Sequence, residues 1–299
     1  MTTITLRDGN ALYVREIGKG KPVLVLHGFG MDSSHWLPSL IPLAGKHRFI
    51  IPDLRGFGKS HSVRHNNPCV LTNYAEDIQD ILDHYQRPMP LVGLSLGAFA
   101  AMQYHRLFGF DRITRYMNID QAPHVLPETD WHWGLFGKQG LGRLSEMRQL
   151  LTDLRQYGEH FPYAELPLTL RHAMWHSLGD FIASALTRQY QKRLVRRVCR
   201  HENIITRLFP IDNWFAYVTC IAAYLERDYD MRPYLSSIDI PVTVVAGYRS
   251  EMYPWEGQVF MHSQIKSSKL ETFRNSGHVP MLDEPIHFLR TLGSFLKEG

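Results

Sequence analysis

Short apolar segments alternate with stretches of helical periodicity in this chain, and no other feature constrains its fold as strongly. Such segments occupy residues 23–26, 48–51, 90–92 and 115–119, and all but the first follow a stretch with helical spacing, such as residues 74–82. Strands that are apolar on both faces and alternate with helices are typical of a parallel sheet with helices on each side. The sequence therefore predicts an α/β fold with a mostly parallel, doubly wound sheet.

The two ends of the chain extend this pattern. Residues 4–26 alternate between apolar and polar positions around two turn signals, which predicts a β-hairpin followed by a buried strand. Strand patterns return at residues 241–246 and 269–273, and Pro285 begins a predicted final helix that runs through Phe295.

The middle of the chain interrupts the alternation. From about residue 123 to about residue 234, only helical periodicity and turn residues are found, with many large aromatic side chains. We therefore expect an inserted helical cap at residues 123–234, and a core formed by residues 1–122 and 235–299.

Composition limits the possible partners of the protein. The 299 residues, 44% of them hydrophobic, are enough for one large globular domain, and a net charge of +4 gives no field that would attract nucleic acid. The three cysteines form neither a disulfide framework nor a zinc-binding spacing, so we expect reduced thiols and no metal. Neither a leader pattern nor a run of about eighteen apolar residues is present, and we expect a cytoplasmic protein without an integral membrane segment. Its oligomeric state stays open.

The serine in Gly-Leu-Ser-Leu-Gly, residues 93–97, is the strongest candidate for a nucleophile. The motif directly follows a predicted strand and directly precedes a predicted helix. A serine at such a turn is held in a tight, strained backbone, and small flanking residues let the helix pack close to the strand. We therefore expect the hydroxyl of Ser95 to stand exposed above the sheet.

A nucleophilic serine needs hydrogen-bond donors for the oxyanion that forms when it attacks a carbonyl. The segment His-Gly-Phe-Gly, residues 27–30, follows a buried strand, and its glycines allow a loop whose backbone N–H groups point into a cavity. We assign the oxyanion hole to the backbone N–H groups of Phe29 and Leu96. His27 is expected to organise this loop rather than to move protons.

Histidine is the side chain best suited to take the proton from Ser95 at neutral pH. Of the sixteen histidines, only His278 lies in a short loop just past the last predicted strand. That loop belongs to the sheet edge where a doubly wound fold collects its ligands. His278 is therefore the candidate general base.

With these motifs, the chain resembles the capped α/β-hydrolases of the haloperoxidase and esterase kind. The matching segments are residues 27–30, 53–60, 93–97 and 276–278, and the resemblance covers residues 1–122 and about 235–299. It implies a Ser-His-acid triad and hydrolysis without a cofactor. It does not imply a substrate. We expect a small-molecule substrate with an apolar part.

The triad acid departs from the pattern of this family, in which the loop after the strand at residues 242–246 usually reads Gly-x-x-Asp-x-x-x-Pro. Here Ser250 takes the place of that aspartate. Glu251 lies one position later, and Asp120 ends the preceding strand, where some relatives place the acid. We favour Asp120 because a carboxylate at a strand end is held rigidly, whereas a one-residue slip in a tight loop turns the side chain away.

The segment from Arg188 to Arg207 is strongly basic. Arg188, Lys192, Arg196 and Arg200 recur every four residues, and apolar residues form the other face. We interpret this segment as an amphipathic cap helix with a solvated basic face. The alternative is a site for an anionic substrate tail or a membrane surface.

Together these observations predict a serine hydrolase that cleaves an ester, thioester or lactone with an apolar part through an acyl-enzyme on Ser95. His278 relays the proton, and Asp120 orients His278. Carbon–carbon bond hydrolysis, acyl-homoserine lactone cleavage and perhydrolysis would use the same triad and stay open. So does a binding protein that keeps the fold as a ligand pocket, which the serine at position 250 favours.

Overall fold

A computed structural model of the chain describes residues 2–208, 213–227 and 229–297. Within these residues one sheet contains the strands β1 (Thr2–Thr5), β2 (Ala11–Gly18), β3 (Lys21–Leu26), β4 (His47–Pro52), β5 (Met89–Leu94), β6 (Ile113–Ile119), β7 (Val242–Gly247) and β8 (Ser268–Phe273). Their order across the sheet is β1-β2-β4-β3-β5-β6-β7-β8. The two pairs that involve β2 are antiparallel, and the others are parallel. The predicted mostly parallel α/β sheet is confirmed.

Helices cover both faces of this sheet. They are α1 (Leu37–Leu40), α2 (Val70–Tyr85), α3 (Leu96–Phe108), α4 (Leu141–Arg155), α5 (Leu168–Ala185), α6 (Gln189–Cys199), α7 (Glu202–Leu208), α8 (Trp214–Glu226), α9 (Trp255–Gln264), α10 (Pro280–Asp283) and α11 (Pro285–Lys297). Across the described ranges, no helix has the length and the apolar composition needed to cross a membrane.

Strand β3 shows how the sheet separates two apolar layers. Side chains alternate between the faces of a strand. Val23 and Val25 pack in the cluster that contains Trp36 and Phe288, on the side of α1 and α11. Leu24 belongs to the larger cluster with residues of α2, α3 and the later helices. A strand buried on both faces therefore reads as a continuous apolar run.

Helices α4 to α8 lie between β6 and β7 in the chain and pack against one another. They also contact the loop after β3, because the ring of Phe29 lies edge-on to Phe181 of α5 at 5.4 Å and to Tyr217 of α8 at 5.7 Å between centroids. The expected boundaries of a cap at residues 123–234 stay a prediction.

The interpretation of the basic segment is wrong in one respect. The segment forms two helices, α6 and α7. Lys192 is not solvated but 4% exposed, whereas the apolar-face residues Tyr190 and Leu194 are 61% and 59% exposed. Helix α6 packs closely against α5, where a Cβ on Gly179 would lie 2.7 Å from the Cβ of Cys199. Lys192 and Cys199 lie on the same face of α6, about two helical turns apart, so Lys192 is buried with it.

Candidate active site

Three polar side chains follow parallel strands in the same half of the sheet. Ser95 follows β5, Asp120 follows β6, and His278 lies in the loop after β8. The carboxyl ends of these strands meet at one edge of the sheet, which is where open α/β sheets bind their ligands. Backbone hydrogen bonds fix the order: the N–H of Ser95 donates to the carbonyl of Ile119 at 3.0 Å, and the N–H of Asp120 donates to Val245 at 2.8 Å.

Ser95 occupies a strained turn between β5 and α3. Its φ of 52° and ψ of −119° lie outside the regions that residues with a side chain commonly adopt. The flanking residues must be small. A Cβ on Gly93 would lie 2.6 Å from the backbone of Ala98, and one on Gly97 would lie 2.7 Å from the carbonyl oxygen of His27. The expected tight strand-turn-helix arrangement is therefore the one that this sequence adopts.

Asp120 and His278 form a buried hydrogen-bonded pair. Nδ1 of His278 lies 2.7 Å from Oδ2 of Asp120, and both side chains are buried. The carboxylate also accepts hydrogen bonds from the backbone N–H of Gly247 at 2.9 Å and from the hydroxyl of Ser250 at 2.6 Å. With three donors around it, the carboxylate favours a proton on Nδ1 of His278 and leaves Nε2 free to accept one.

Glu251, the other candidate acid, lies elsewhere. Its carboxylate pairs with Nζ of Lys192, and its side chain is 56% exposed. Within the described part of the chain, no hydrogen bond joins it to His278. The structure therefore brings Asp120, and not Glu251, to the imidazole.

Two backbone N–H groups beside Ser95 are unused. Among the residues that the structure describes, neither the N–H of Phe29 nor that of Leu96 donates to a protein acceptor. Leu96 is the first residue of α3, where helix N–H groups have no partner within the helix. The loop of Phe29 lies against the nucleophile, because a Cβ on Gly28 would be 3.5 Å from the Cβ of Ser95. Both groups are thus available to a negatively charged oxygen near Ser95.

His27 holds this loop in place. It is fully buried, its Nε2 accepts the N–H of Leu54 at 2.9 Å, and its Nδ1 lies 2.8 Å from the carbonyl oxygen of Gly28. Burial lowers the pKa of His27, which favours the neutral ring. Both nitrogens are occupied by backbone groups, so this histidine is placed to organise the loop.

Ser95 lies on the wall of a narrow apolar cavity, which we call the serine cavity. Its other lining side chains are mainly apolar: Phe29, Leu96, Leu135, Met147, Phe181, Cys220, Ile221, Tyr224, Leu225, Met252 and Tyr253. A second narrow apolar cavity lies beside it, and Met147 and Ile221 line both. The space near Ser95 therefore suits an apolar group.

Sequence reasoning missed two groups around the carboxylate of Asp120. Ser250 was noted only as a missing acid, yet its hydroxyl is a donor to Asp120, and it also accepts the N–H of Tyr253 at 3.2 Å. The backbone N–H of Gly247 is the second missed donor. A serine at the usual acid position, combined with an aspartate at the end of the preceding strand, is the signal that could have indicated this contact.

Comparisons with known proteins agree with this geometry. The profile described as the alpha/beta hydrolase family matches residues 23–291, from β3 into α11. The chain is 23% identical over 287 residues to a pimeloyl-(acyl-carrier protein) methyl ester esterase of Aliivibrio salmonicida, with 96% of each chain covered.

Solved structures show the same likeness. An esterase from Exiguobacterium antarcticum has a TM-score of 0.76 and 26% identity, with 99% of both chains covered. A bromoperoxidase from Bacillus anthracis has a TM-score of 0.76 over 99% of both chains, and at 21% identity it shows the fold alone.

Proposed function

We propose that this chain, which belongs to the alpha/beta hydrolase family, is a serine esterase that acts through an acyl-enzyme on Ser95. Its substrates are carboxylic esters, thioesters or lactones with an apolar part. The observation that carries this proposal is the buried hydrogen bond between His278 and Asp120, at the sheet edge that also holds Ser95. A buried carboxylate that orients an imidazole beside a strained serine is the arrangement that activates a hydroxyl for attack on a carbonyl.

The first half of the reaction acylates the serine. Oγ of Ser95 attacks the carbonyl carbon of the ester while Nε2 of His278 accepts the hydroxyl proton. The buried charge of Asp120 stabilises the imidazolium that results. The negative charge on the carbonyl oxygen is held by the backbone N–H groups of Phe29 and Leu96. His278 then gives its proton to the leaving alcohol, and the ester bond breaks.

The second half releases the acid. A water molecule gives a proton to Nε2 of His278 and attacks the acyl carbon, and the same N–H groups hold the oxyanion again. Collapse of this intermediate returns the proton to Ser95 and frees the carboxylic acid. Every step uses side chains and backbone groups of this chain and needs no redox change.

Two observations support an apolar substrate part. The serine cavity is lined mainly by aliphatic and aromatic side chains, and a second apolar cavity adjoins it. The relative from Aliivibrio salmonicida is named for a methyl ester, and the solved neighbour at 26% identity is an esterase. We also propose that helices α4 to α8, within residues 123–234, form a cap over Ser95, since Met147, Phe181 and Ile221 of these helices line the serine cavity.

A covalent label combined with turnover tests the proposal. A fluorophosphonate probe and a series of p-nitrophenyl esters are compared for the wild type, Ser95→Ala and the control Ser263→Ala, an exposed serine of α9. We expect Ser95→Ala to keep its circular dichroism spectrum, to lose labelling and to lose turnover by several orders of magnitude, since the residues of such a unit act together. Labelling that persists in Ser95→Ala, or turnover above about a tenth of wild type, would overturn the mechanism. A wild type that neither reacts with the probe nor cleaves any ester would indicate a binding protein.

A further inference from the structure

A second opening, which we call the outer cleft, lies beside the serine cavity. It is an open polar cleft of about 1480 Å³, and its lining includes Phe136, Lys138, Arg143, Ser184, Ser250 and Glu251. Four segments of the chain contribute one side chain to the serine cavity and a nearby one to the outer cleft. These pairs are Leu135 with Phe136, Met147 with Arg143, Phe181 with Ser184, and Met252 with Ser250. One layer of side chains therefore forms the wall between the two spaces.

Arg143 in this wall has an unused hydrogen-bonding group. Its Nη1 donates to the hydroxyl of Ser184 at 2.6 Å, but its Nη2 is buried and has no partner among the described residues. The nearby carboxylates are engaged elsewhere: Asp180 accepts Nε of Arg196 at 2.7 Å, and Glu251 pairs with Lys192. A buried guanidinium nitrogen without an acceptor is unfavourable and rare in folded proteins.

This guanidinium is charged and poorly solvated. The ring of Phe136 lies 3.8 Å from its central carbon, and this contact covers one face of the group. Burial lowers the pKa of Arg143, yet an arginine retains its proton at any physiological pH. Among the residues that the structure describes, no carboxylate therefore contacts this fixed positive charge directly.

Phe136 is itself held in a strained conformation. Its φ of 63° is in the left-handed region, which is rare for an aromatic residue, and its N–H donates to the carbonyl of Met252 at 2.6 Å. The same ring that contacts Arg143 also lies edge-on to Phe181, at 6.1 Å between centroids. Strain of this kind concentrates at binding sites, where the surrounding structure maintains it.

We propose that Arg143 binds a carboxylate of the substrate, so that the preferred ester carries an anionic group on the part that reaches the wall of the outer cleft. The planar N–H donors of a guanidinium match the two oxygens of a carboxylate. This inference rests on the proposed esterase function and adds the class of its substrate.

The charges around the outer cleft favour an anion. In the lining of this cleft, the carboxylate of Glu251 is paired with Lys192. The remaining charged groups of the lining are two cations, Lys138 and Arg143, and one carboxylate, Glu256. A second surface cavity that Arg143 lines, between α4 and α5, contains the carboxylate of Glu146, which repels an anion, and that of Asp180, which Arg196 engages. The charges therefore favour a carboxylate on the outer-cleft side of this arginine.

Matched pairs of esters test the proposal by turnover. Monomethyl esters of straight-chain dicarboxylic acids with six to ten carbons are compared with methyl esters of monocarboxylic acids of equal length, by methanol release. We expect the wild type to show at least tenfold higher kcat/KM for the carboxylated ester at the best length, mainly through a lower KM. Arg143→Gln should reduce this preference to about twofold or less. The charge-matched control Arg193→Gln, at an exposed position of α6, should retain it. A preference for neutral esters at every length, or one that survives in Arg143→Gln, would refute the role of Arg143.

A binding measurement keeps this test independent of turnover. In the Ser95→Ala background, the best monomethyl ester should raise the melting temperature, because a ligand that binds only the folded state stabilises it. Adding Arg143→Gln should abolish the shift, and adding Arg143→Lys, which keeps the charge without the planar donors, should leave a smaller one. Equal shifts with and without Arg143→Gln would overturn the inference. Failure of the esterase proposal would instead appear as absent labelling and absent turnover with all esters, whatever the melting temperatures.

Discussion

The hydroxyl of Ser250 lies 2.6 Å from Oδ2 of Asp120, the carboxylate oxygen that His278 also contacts. In the pattern usual for the family, position 250 would itself carry the acid. Here the strand end after β6 supplies the charge, and the loop after β7 supplies hydrogen-bond donors to it. The carboxylate beside this imidazole therefore comes from the end of β6 and not from the loop after β7.

The two candidate acids should respond differently to removal of their charge. Asp120→Asn replaces the charged acceptor of His278 by a neutral amide whose NH2 group can donate to Nδ1, which favours the wrong tautomer, and we expect turnover to fall by a factor of hundreds or more. Glu251→Gln should change turnover less than about tenfold, because Glu251 pairs with Lys192 and not with the imidazole. Steady-state kinetics with p-nitrophenyl esters measure both effects. The reverse order would assign the acid to Glu251.

The carboxylate that contacts His278 should be partly transferable from position 120 to position 250. Since Ser250 lies beside the carboxylate of Asp120, an aspartate at position 250 would place its charge close to His278. We expect the double variant Asp120→Asn with Ser250→Asp to recover at least tenfold over Asp120→Asn alone, measured as kcat. The single variant Ser250→Asp provides the control, and it should be impaired because two adjacent carboxylates repel. Absence of any recovery would show that only the strand end can hold the acid.

The serine cavity should set the preferred length of the acyl chain. We expect kcat/KM for p-nitrophenyl esters to rise over short acyl chains and then to fall where the cavity ends. Ile221 lines both apolar cavities, so Ile221→Trp should move the optimum to shorter chains by filling the passage between them. Ile286→Trp, at a position 68% exposed, is the control and should not move it. A flat profile in the wild type would contradict an enclosed acyl site.

His65 should make the fold sensitive to mild acid. Both of its ring nitrogens are buried without a hydrogen-bond partner in the described segments, and the ring lies edge-on to Tyr74 at 5.2 Å between centroids. Burial, with a further contribution from the charge of Arg55, lowers the pKa of His65 to about 4. The unfolded chain takes up the proton near pH 6.5, so between pH 6.5 and pH 4 it binds more protons than the folded chain. Stability should therefore fall as the pH is lowered through this range, by an amount that approaches about 3 kcal/mol at pH 4.

Urea unfolding at a series of pH values measures this effect. His65→Phe should remove the contribution of His65, so that its free energy of unfolding changes less between pH 6.5 and pH 4 than that of the wild type. The exposed control His160→Gln should show the same pH dependence as the wild type. If the free energy of unfolding had the same pH dependence in the wild type and in His65→Phe, His65 would not lose its proton on folding.

Much of the sheet could be predicted from sequence because the central strands β3 to β7 are buried over most of their length. Val23, Val25 and Leu24 read as one apolar run for that reason, and the strand ends then determine which residues meet at one edge. The pairing of Asp120 with His278 joins the ends of β6 and β8, which lie on either side of β7 in the sheet. Their catalytic roles stay predictions.

The inserted helices were harder to predict because their orientation depends on contacts between distant residues. Helical spacing alone placed Lys192 on a solvated face, but the close approach of Gly179 to Cys199 turns that face towards α5. The contribution of Phe181 to the serine cavity, and the unpartnered Nη2 of Arg143, depend on the same packing. No local pattern in the sequence encodes such a helix rotation.

Ser95, Asp120 and Phe136 have a positive φ, of 52°, 49° and 63°. These strained backbones lower the stability of the fold in order to hold side chains that the proposed activity needs. Each costs on the order of 1–3 kcal/mol relative to a relaxed residue, and glycine would relieve most of that cost. Laboratory evolution for heat resistance alone should therefore favour glycine first at position 95, because glycine at position 120 or 136 would also give up the hydrogen bonds of Asp120 or the ring contacts of Phe136. Its most stable products should have lost turnover. Selection that rewards turnover as well should leave these positions unchanged and gain its stability on the outer surfaces of the helices.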